Sequence, residues 1–378
     1  MNSAPRIAII GAGPGGLTCA NILQRHGIPV TVAERDAAPD TRPQGGTLDL
    51  HADSGQLALS AAGLLDEFLA ISRPEGQETR LLDRAGTELF RHTPRPGELA
   101  KPEIDRGQLR RLLLDALAPG TVRWGRALRT VRPLGDGTHR AVFEDGSTGD
   151  FDLVVGADGA WSRVRPLLSD ATPGYTGITF VETGLDDADT RHAALAELIG
   201  RGMMMALAPD RCLFAQRNSN HHIRVYVAFR GPRDWYRAAG VDLRDPRAVR
   251  AALLAKFADW DSSLLAMVRD ADGGFVNRPL FALPVGHSWD HVPGLTLLGD
   301  AAHLMSPFAG MGVNLAMLDG AELARAVLTE SGLAAAVKAY ETTMLPRSAE
   351  AARDSATGCE NSFAADAPYR TLREWRRH

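Results

Sequence analysis

At 378 residues with 44% apolar content, the chain can bury a full core and should divide into two or more domains. Its 42 Lys and Arg residues are interspersed with 46 Asp and Glu for a net charge of −4, which leaves no electrostatic footprint for nucleic acid or anionic lipid. Cys19, Cys212 and Cys359 are odd in number and too far apart for metal ligation, no run of about eighteen apolar residues occurs, and MNSAPR leads straight toward a strand, so a soluble cytoplasmic protein with structural thiols is expected, with no metal, nucleic-acid or membrane partner.

Ile7–Ile10 is a continuous apolar run, as a parallel strand buried on both faces requires. Gly11, Gly13 and Gly16 follow as G-x-G-x-x-G, then a helical stretch from Leu17 that Gly27 can close. In such a turn Gly11 allows the tight bend, Gly13 lets N–H groups approach a pyrophosphate, and Gly16 permits close strand–helix packing. Alone the pattern is a weak signal, but VTVAERD places Glu34 at the end of a second strand, where a carboxylate accepts ribose hydroxyls. An acid there suits the free ribose of FAD or NAD and disfavours the 2′-phosphate of NADP.

DLVVGADGAWSRVR, at 152–165, reads as another apolar strand ending in a glycine turn. Over 173–274, extended runs such as CLFAQR and IRVYVAF alternate with Gly, Asn and Pro, which predicts antiparallel sheet. LTLL, at 295–298, is a further buried strand, followed by Gly299, Asp300 and a glycine-marked turn into a helix with Leu315, Leu318, Leu323 and Val327 on one face. That turn can set Asp300 against polyol hydroxyls and aim the helix start at Gly312, Val313 and Asn314 toward a group that becomes anionic. A helical pattern covers 333–362, and the basic tail RTLREWRRH reads as a solvated end.

With GAGPGG and Glu34-Arg35, DGAWSRVR at 158–165 and GDAAHLMSPFAGMGVN at 299–314, the chain resembles the single-component FAD monooxygenases of the para-hydroxybenzoate hydroxylase type. Within that group it is most similar to the tetracycline-inactivating enzymes, through GGTLDLH and SGQ (45–51, 54–56), PEIDRGQLRRLLL (102–114) and FADWD (257–261). The resemblance implies an α/β fold: an FAD-binding Rossmann-like (GxGxxG) domain over 1–70, 100–172 and 275–332, an inserted, mostly antiparallel β-sheet substrate domain over 71–99 and 173–274, and a C-terminal bridging helix over 333–362. It implies FAD held by Gly11, Gly13, Pro14, Gly15 and Gly16, with Glu34 and Arg35 on the adenosine side and Asp49, Arg106 and Asp158 further along. Asp300 would take the ribityl and pyrophosphate region, and Pro307, Gly310, Gly312, Val313 and Asn314 would run beside the isoalloxazine. Arg42 falls where NADPH or NADH would be received.

In that family NAD(P)H reduces FAD, O2 adds at flavin C4a, and the hydroperoxide passes its terminal oxygen to an electron-rich carbon, so the flavin performs the chemistry and no catalytic side chain is expected. The substrate pocket should be largely apolar. Met203, Phe214, Arg224, Tyr226 and Phe308 are its implied lining, with Met204, Met205 and Met311 as further candidates. The chain departs from the tetracycline enzymes where Arg224 stands in place of a histidine, Tyr226 in place of a glycine, and a substrate-gripping arginine is missing near Met203; His221 and His222 could restore the polar contact, though a solvated loop pair is the simpler reading. The expected activity is hydroxylation of a polycyclic aromatic or polyketide-like molecule, tetracycline included, by a monomer. The alternatives are a biosynthetic hydroxylase of another aromatic or enolic metabolite, and a flavin-containing protein that sequesters an antibiotic without turnover. A flavin halogenase is disfavoured by the lack of W-x-W-x-I-P.

Overall fold

Ile7–Ile10 and Leu153–Gly156 are wholly buried, and they pair in parallel with Ile7 opposite Leu153. They form the middle of a five-stranded parallel sheet ordered Leu295–Leu297, Leu153–Gly156, Ile7–Ile10, Val30–Ala33, Val122–Arg123. The structure is a computed structural model that describes residues 4–41 and 45–376. Uninterrupted apolar runs suit these strands because both faces are buried, with Leu128, Val131, Ala141 and Phe143 of a three-stranded antiparallel sheet contributing to the same core. Pro14 opens the helix Pro14–Arg25, where its missing N–H costs nothing. This helix packs on Gly312–Thr329 through glycine: a Cβ on Gly15 would lie 2.4 Å from the Ala316 carbonyl oxygen, and one on Gly320 would lie 2.3 Å from that of Gly15. A three-stranded antiparallel sheet, Leu128–Pro133, His139–Phe143 and Thr148–Phe151, leads into the strand Leu153–Gly156.

A seven-stranded sheet forms the second unit, ordered Val276–Ala282, Gly174–Leu185, Ile223–Arg230, Arg211–Arg217, Met203–Ala208, Thr79–Asp83, Glu88–His92. Its pairings are antiparallel except that of Met203–Ala208 with Thr79–Asp83. The expected boundary at 275 falls just before a strand that belongs to this sheet: Val276–Ala282 pairs along Gly174–Leu185, with Arg278 opposite Phe180.

Alternation gives the sheet two different faces. Ile223, Val225, Val227 and Phe229 are fully buried on the side covered by the helices Ala193–Ile199, Pro246–Lys256 and Ser262–Arg269. These helices interrupt the stretch expected to be sheet. Asp245 and Asp261 cap the last two by accepting the N–H groups of Arg247 and Ser263, each at 2.9 Å. Arg224 and Tyr226 point to the opposite face, which the C-terminal part of the chain partly covers.

The long helix Leu333–Ser362 joins the two units. Its first half enters the parallel-sheet core with Ala336, Val337, Tyr340 and Met344, and the Tyr340 hydroxyl donates to the Leu297 carbonyl at 2.9 Å. Its end supplies Cys359 to the core beneath the seven-stranded sheet, beside Phe363. The basic tail is not a solvated end. Tyr369–Trp375 is a helix whose Thr371 and Leu372 are buried and whose Trp375 meets Phe90 edge-on at 5.7 Å, because its apolar residues fall on one side while the arginines face out. Among the described residues no helix is long and apolar enough to cross a membrane.

Candidate active site

The glycine turn after Ile10 is dictated by backbone geometry. Gly11 has φ +111°, and a Cβ there would lie 2.3 Å from the Ala157 carbonyl oxygen; one on Gly16 would lie 2.5 Å from the Gly11 oxygen. Around Gly13 a Cβ would meet nothing within 4 Å, so open space stands at the start of the helix, where unsatisfied N–H groups favour an anion. Buried Glu34 braces this turn, accepting the N–H of Ala12 at 2.7 Å and of Asp36 at 2.9 Å, and a carboxylate with two such donors keeps lone pairs for a ribose hydroxyl. Arg35 beside it is exposed. Arg110, which the sequence pattern does not single out, is buried and donates to the carbonyls of Ala12 at 3.2 Å and Pro39 at 2.6 Å.

The turn at Gly299 and Asp300 is gripped from several sides. Asp319 accepts the Gly299 N–H at 3.0 Å and lies 2.6 Å from His303 Nε2. Arg347 of the long helix binds Asp319 at 2.9 Å and Glu322 at 2.7 Å. Arg165 donates to the carbonyls of Ala160, Ala171 and Ala301, and His287 Nδ1 lies 2.6 Å from that of Ala302. Burial opposes the charge on both members of the His303–Asp319 pair, but their mutual attraction outweighs it, raising the imidazole and lowering the carboxyl. Asp300 itself is exposed and makes no hydrogen bond among the described residues. Asp158 accepts the Arg163 N–H at 2.6 Å, while its Oδ1 is buried without a partner and burial raises the carboxyl.

Asn314 is fully buried, and its side chain is wholly committed to the protein. Oδ1 accepts the N–H groups of His51 at 2.9 Å and Gly55 at 3.2 Å, and Nδ2 donates to the Asp49 carbonyl at 2.8 Å. Only its backbone, with that of Gly312 and Val313, is left in the unsatisfied first turn of its helix. The exposed Pro307 and the left-handed Gly310, at φ +66°, shape the turn before it, and a Cβ on Gly310 would come within 3.8 Å of the Asp49 carboxylate. Asp49 also holds His51 Nε2 at 3.0 Å. Exposed Arg106 starts the helix Arg106–Asp115 and donates its N–H to the Gly46 carbonyl at 3.0 Å. Arg42 lies outside the described residues.

The inner face of the seven-stranded sheet approaches the same loop. Register sets Met205, Phe214, Tyr226 and Glu182 in one row across four strands, and Met203, Gln216 and Arg224 in the next. Tyr226 stacks on Phe214 at 5.7 Å and lies 5.5 Å from Phe180, which meets Phe308 edge-on at 5.9 Å. A Cβ on Gly46 would sit 3.2 Å from both the Tyr226 hydroxyl and Arg224 Cδ. The structure therefore brings Met203, Phe214, Arg224, Tyr226 and Phe308 to one face of the sheet, with Arg224 and Tyr226 against Gly46, just before the short strand Thr47–Asp49. It also brings in Phe180, Glu182 and Arg278, which sequence did not single out although Phe180 and Glu182 stand two apart on one strand.

Met204 is corrected: alternation turns it to the opposite face, into the helix-covered core. His221 and His222 do not reach the aromatic face either. They pair with Asp189 at 2.5 Å and Asp186 at 2.8 Å in the turn between the strands Arg211–Arg217 and Ile223–Arg230, with His221 exposed.

An open cradle at Gly13, an unpaired Asp300 carboxylate and an orphaned Asp158 oxygen fit a dinucleotide with a polyol linker. Comparison with known proteins agrees. The chain is 34% identical to the monooxygenase penA of Penicillium thymicola over 84% of each protein. Its fold superposes with a TM-score of 0.82 on Klebsiella pneumoniae HpxO in complex with FAD and uric acid, covering 100% of this chain and 93% of that one at 21% identity. With the tetracycline destructase Tet(55) the TM-score is 0.75 at 21% identity, over 100% and 95% of the chains. The FAD binding domain family matches residues 5–259 and 290–355, and the chain belongs to it as an FAD-dependent monooxygenase of the aromatic hydroxylase type.

Proposed function

We propose that the protein hydroxylates a polycyclic aromatic or polyketide-like molecule, with tetracycline as the first candidate and NAD(P)H and dioxygen as co-substrates. The observation that carries this reading is an aromatic wall of Phe180, Phe214, Tyr226 and Phe308 that meets the Gly46 turn through Tyr226. FAD, when bound, supplies the redox chemistry and the activation of dioxygen. The chain's own residues hold it and orient the substrate. Glu34, Asp300 and the N–H groups around Gly13 would bind its polar parts, Asp49 and Arg106 would hold the loop end, and Arg42 would receive the nicotinamide. Phe308 and Phe214 would flank the substrate ring and exclude water, which protects a reactive oxygen donor from wasteful breakdown.

On this reading the parallel sheet and its helices serve FAD, the seven-stranded sheet serves the substrate, and Leu333–Ser362 bridges them. Three buried, unpaired thiols support a cytoplasmic setting, and a monomer is part of the same proposal. Tyr226 and Arg224, bulky and charged on the substrate face, favour as second reading another aromatic or enolic metabolite. Aerobic incubation of FAD-loaded protein with NADPH, catalase and tetracycline tests the first reading. One added oxygen, dependent on protein and NADPH, supports it; an unchanged mass from protein whose flavin is reduced moves the assignment to the second.

A further inference from the structure

We propose that Arg224 and Arg278, arranged around Glu182 beside the Tyr226 hydroxyl, form an anion subsite, so that the substrate carries a carboxylate or ionised hydroxyl next to the ring that is oxygenated. The proposal rests on the monooxygenase reading above and narrows its substrate class.

One carboxylate serves two guanidiniums here: Glu182 Oε1 accepts from Arg224 and Oε2 from Arg278. The cluster thus keeps one positive charge in excess. Arg106, from across the Gly45–Gly46 loop, adds a second within electrostatic reach of Tyr226. The side chains of Glu182 and Arg224 are only 9% and 19% exposed, whereas Arg278 is 53% exposed. Excess charge in such a setting is costly unless an anion completes it.

Donors without acceptors point the same way. Arg224 Nε is buried with no partner, and the Tyr226 hydroxyl, aimed at Gly46, makes no hydrogen bond among the described residues. Beside them, Phe214 and Phe180 flank Tyr226 and offer surface for a ring. Guanidinium forks match carboxylate oxygens in pairs, so the wall suits a planar ligand with an apolar body and an anionic edge. An anionic reduced flavin could use the same positive charge, and the test separates the two sources.

Oxidised, FAD-loaded protein is titrated with 3-hydroxy-2-naphthoate and with its methyl ester, following the flavin absorbance. The acid should bind at least about tenfold more tightly than the ester. Arg224→Gln and Arg278→Gln should each move that ratio toward one without changing FAD content, and Glu182→Gln should raise it. Equal affinities, or no binding of either probe, overturn the subsite. So does a ratio indifferent to all three substitutions, with Arg224→Gln altering only flavin reduction; the charge would then serve the flavin. Selective binding of an acid that gains no oxygen on addition of NADPH upholds the subsite and fails the catalytic reading.

Discussion

The two halves of the site are built by different means. Around Gly11–Gly16 and Gly299–Asp300 the geometry is backbone: glycines sit where a Cβ would strike a carbonyl, and buried arginines grip carbonyl oxygens. On the inner sheet face the geometry is side chain, with rows of Met, Phe, Tyr, Arg and Glu set by strand register. The first kind of construction fixes one ligand and tolerates little change. The second can exchange residues without disturbing the fold, which is where a family on one scaffold can vary its substrates.

Substitutions can break or sharpen this contrast. Gly11→Ala forces a side chain into φ +111° and against the Ala157 oxygen, and should cost about 4 kcal/mol of stability together with the flavin, read by urea unfolding and absorbance. His303→Asn, which removes one partner of a buried ion pair, should cost about 3 kcal/mol in the same assays.

That pair also sets a pH window. The raised His303 contributes stability that is complete below the ordinary histidine value of about 6.5 and is lost as pH rises through its folded value. The lowered Asp319 contributes stability present above about 3.9 and lost as pH falls through its folded value. Thermal stability should therefore be greatest between these limits, and His303→Asn should flatten the alkaline side; an unchanged profile would remove the pair from the account.

Asp300→Ala removes no hydrogen bond among the described residues and only a minor part of the attraction that raises His303, so folding of the flavin-free chain should change little while FAD affinity falls by about 2 kcal/mol, roughly thirtyfold in Kd. Flavin titration of the apoprotein checks this, and full affinity would place the ribityl group elsewhere. The smallest effect should come from Tyr226→Phe. Its hydroxyl makes no hydrogen bond among the described residues, so stability and FAD content should stay within about 0.5 kcal/mol, with only substrate-stimulated NADPH oxidation changed.

The same contrast explains what sequence made legible. Gly11, Gly16 and the apolar runs Ile7–Ile10 and Leu295–Leu297 are readable because few residues satisfy a positive φ, a close approach or a doubly covered strand. The helix over 333–362 is readable from its long pattern, and the structure has it as Leu333–Ser362. Arg165 and Arg110 are not readable in their roles, because the carbonyls that tie them to the two turns, those of Ala301 and Ala12, come from residues distant in the chain. Glu182 and Arg278 join Arg224 only once three strands are in register, and register is a tertiary property. The tail misleads for the opposite reason: its arginines dominate the composition, while Leu372 and Trp375 decide where it packs.

The most direct test of the central claim is the fate of isotopically heavy dioxygen. FAD-loaded protein, NADPH and an aromatic substrate that stimulates NADPH oxidation are incubated under labelled gas, and the product is weighed by mass spectrometry. The account predicts one labelled oxygen atom per product molecule, drawn from the gas and not from water. Product without label, or NADPH consumed with all of the label recovered as hydrogen peroxide and water, would contradict it.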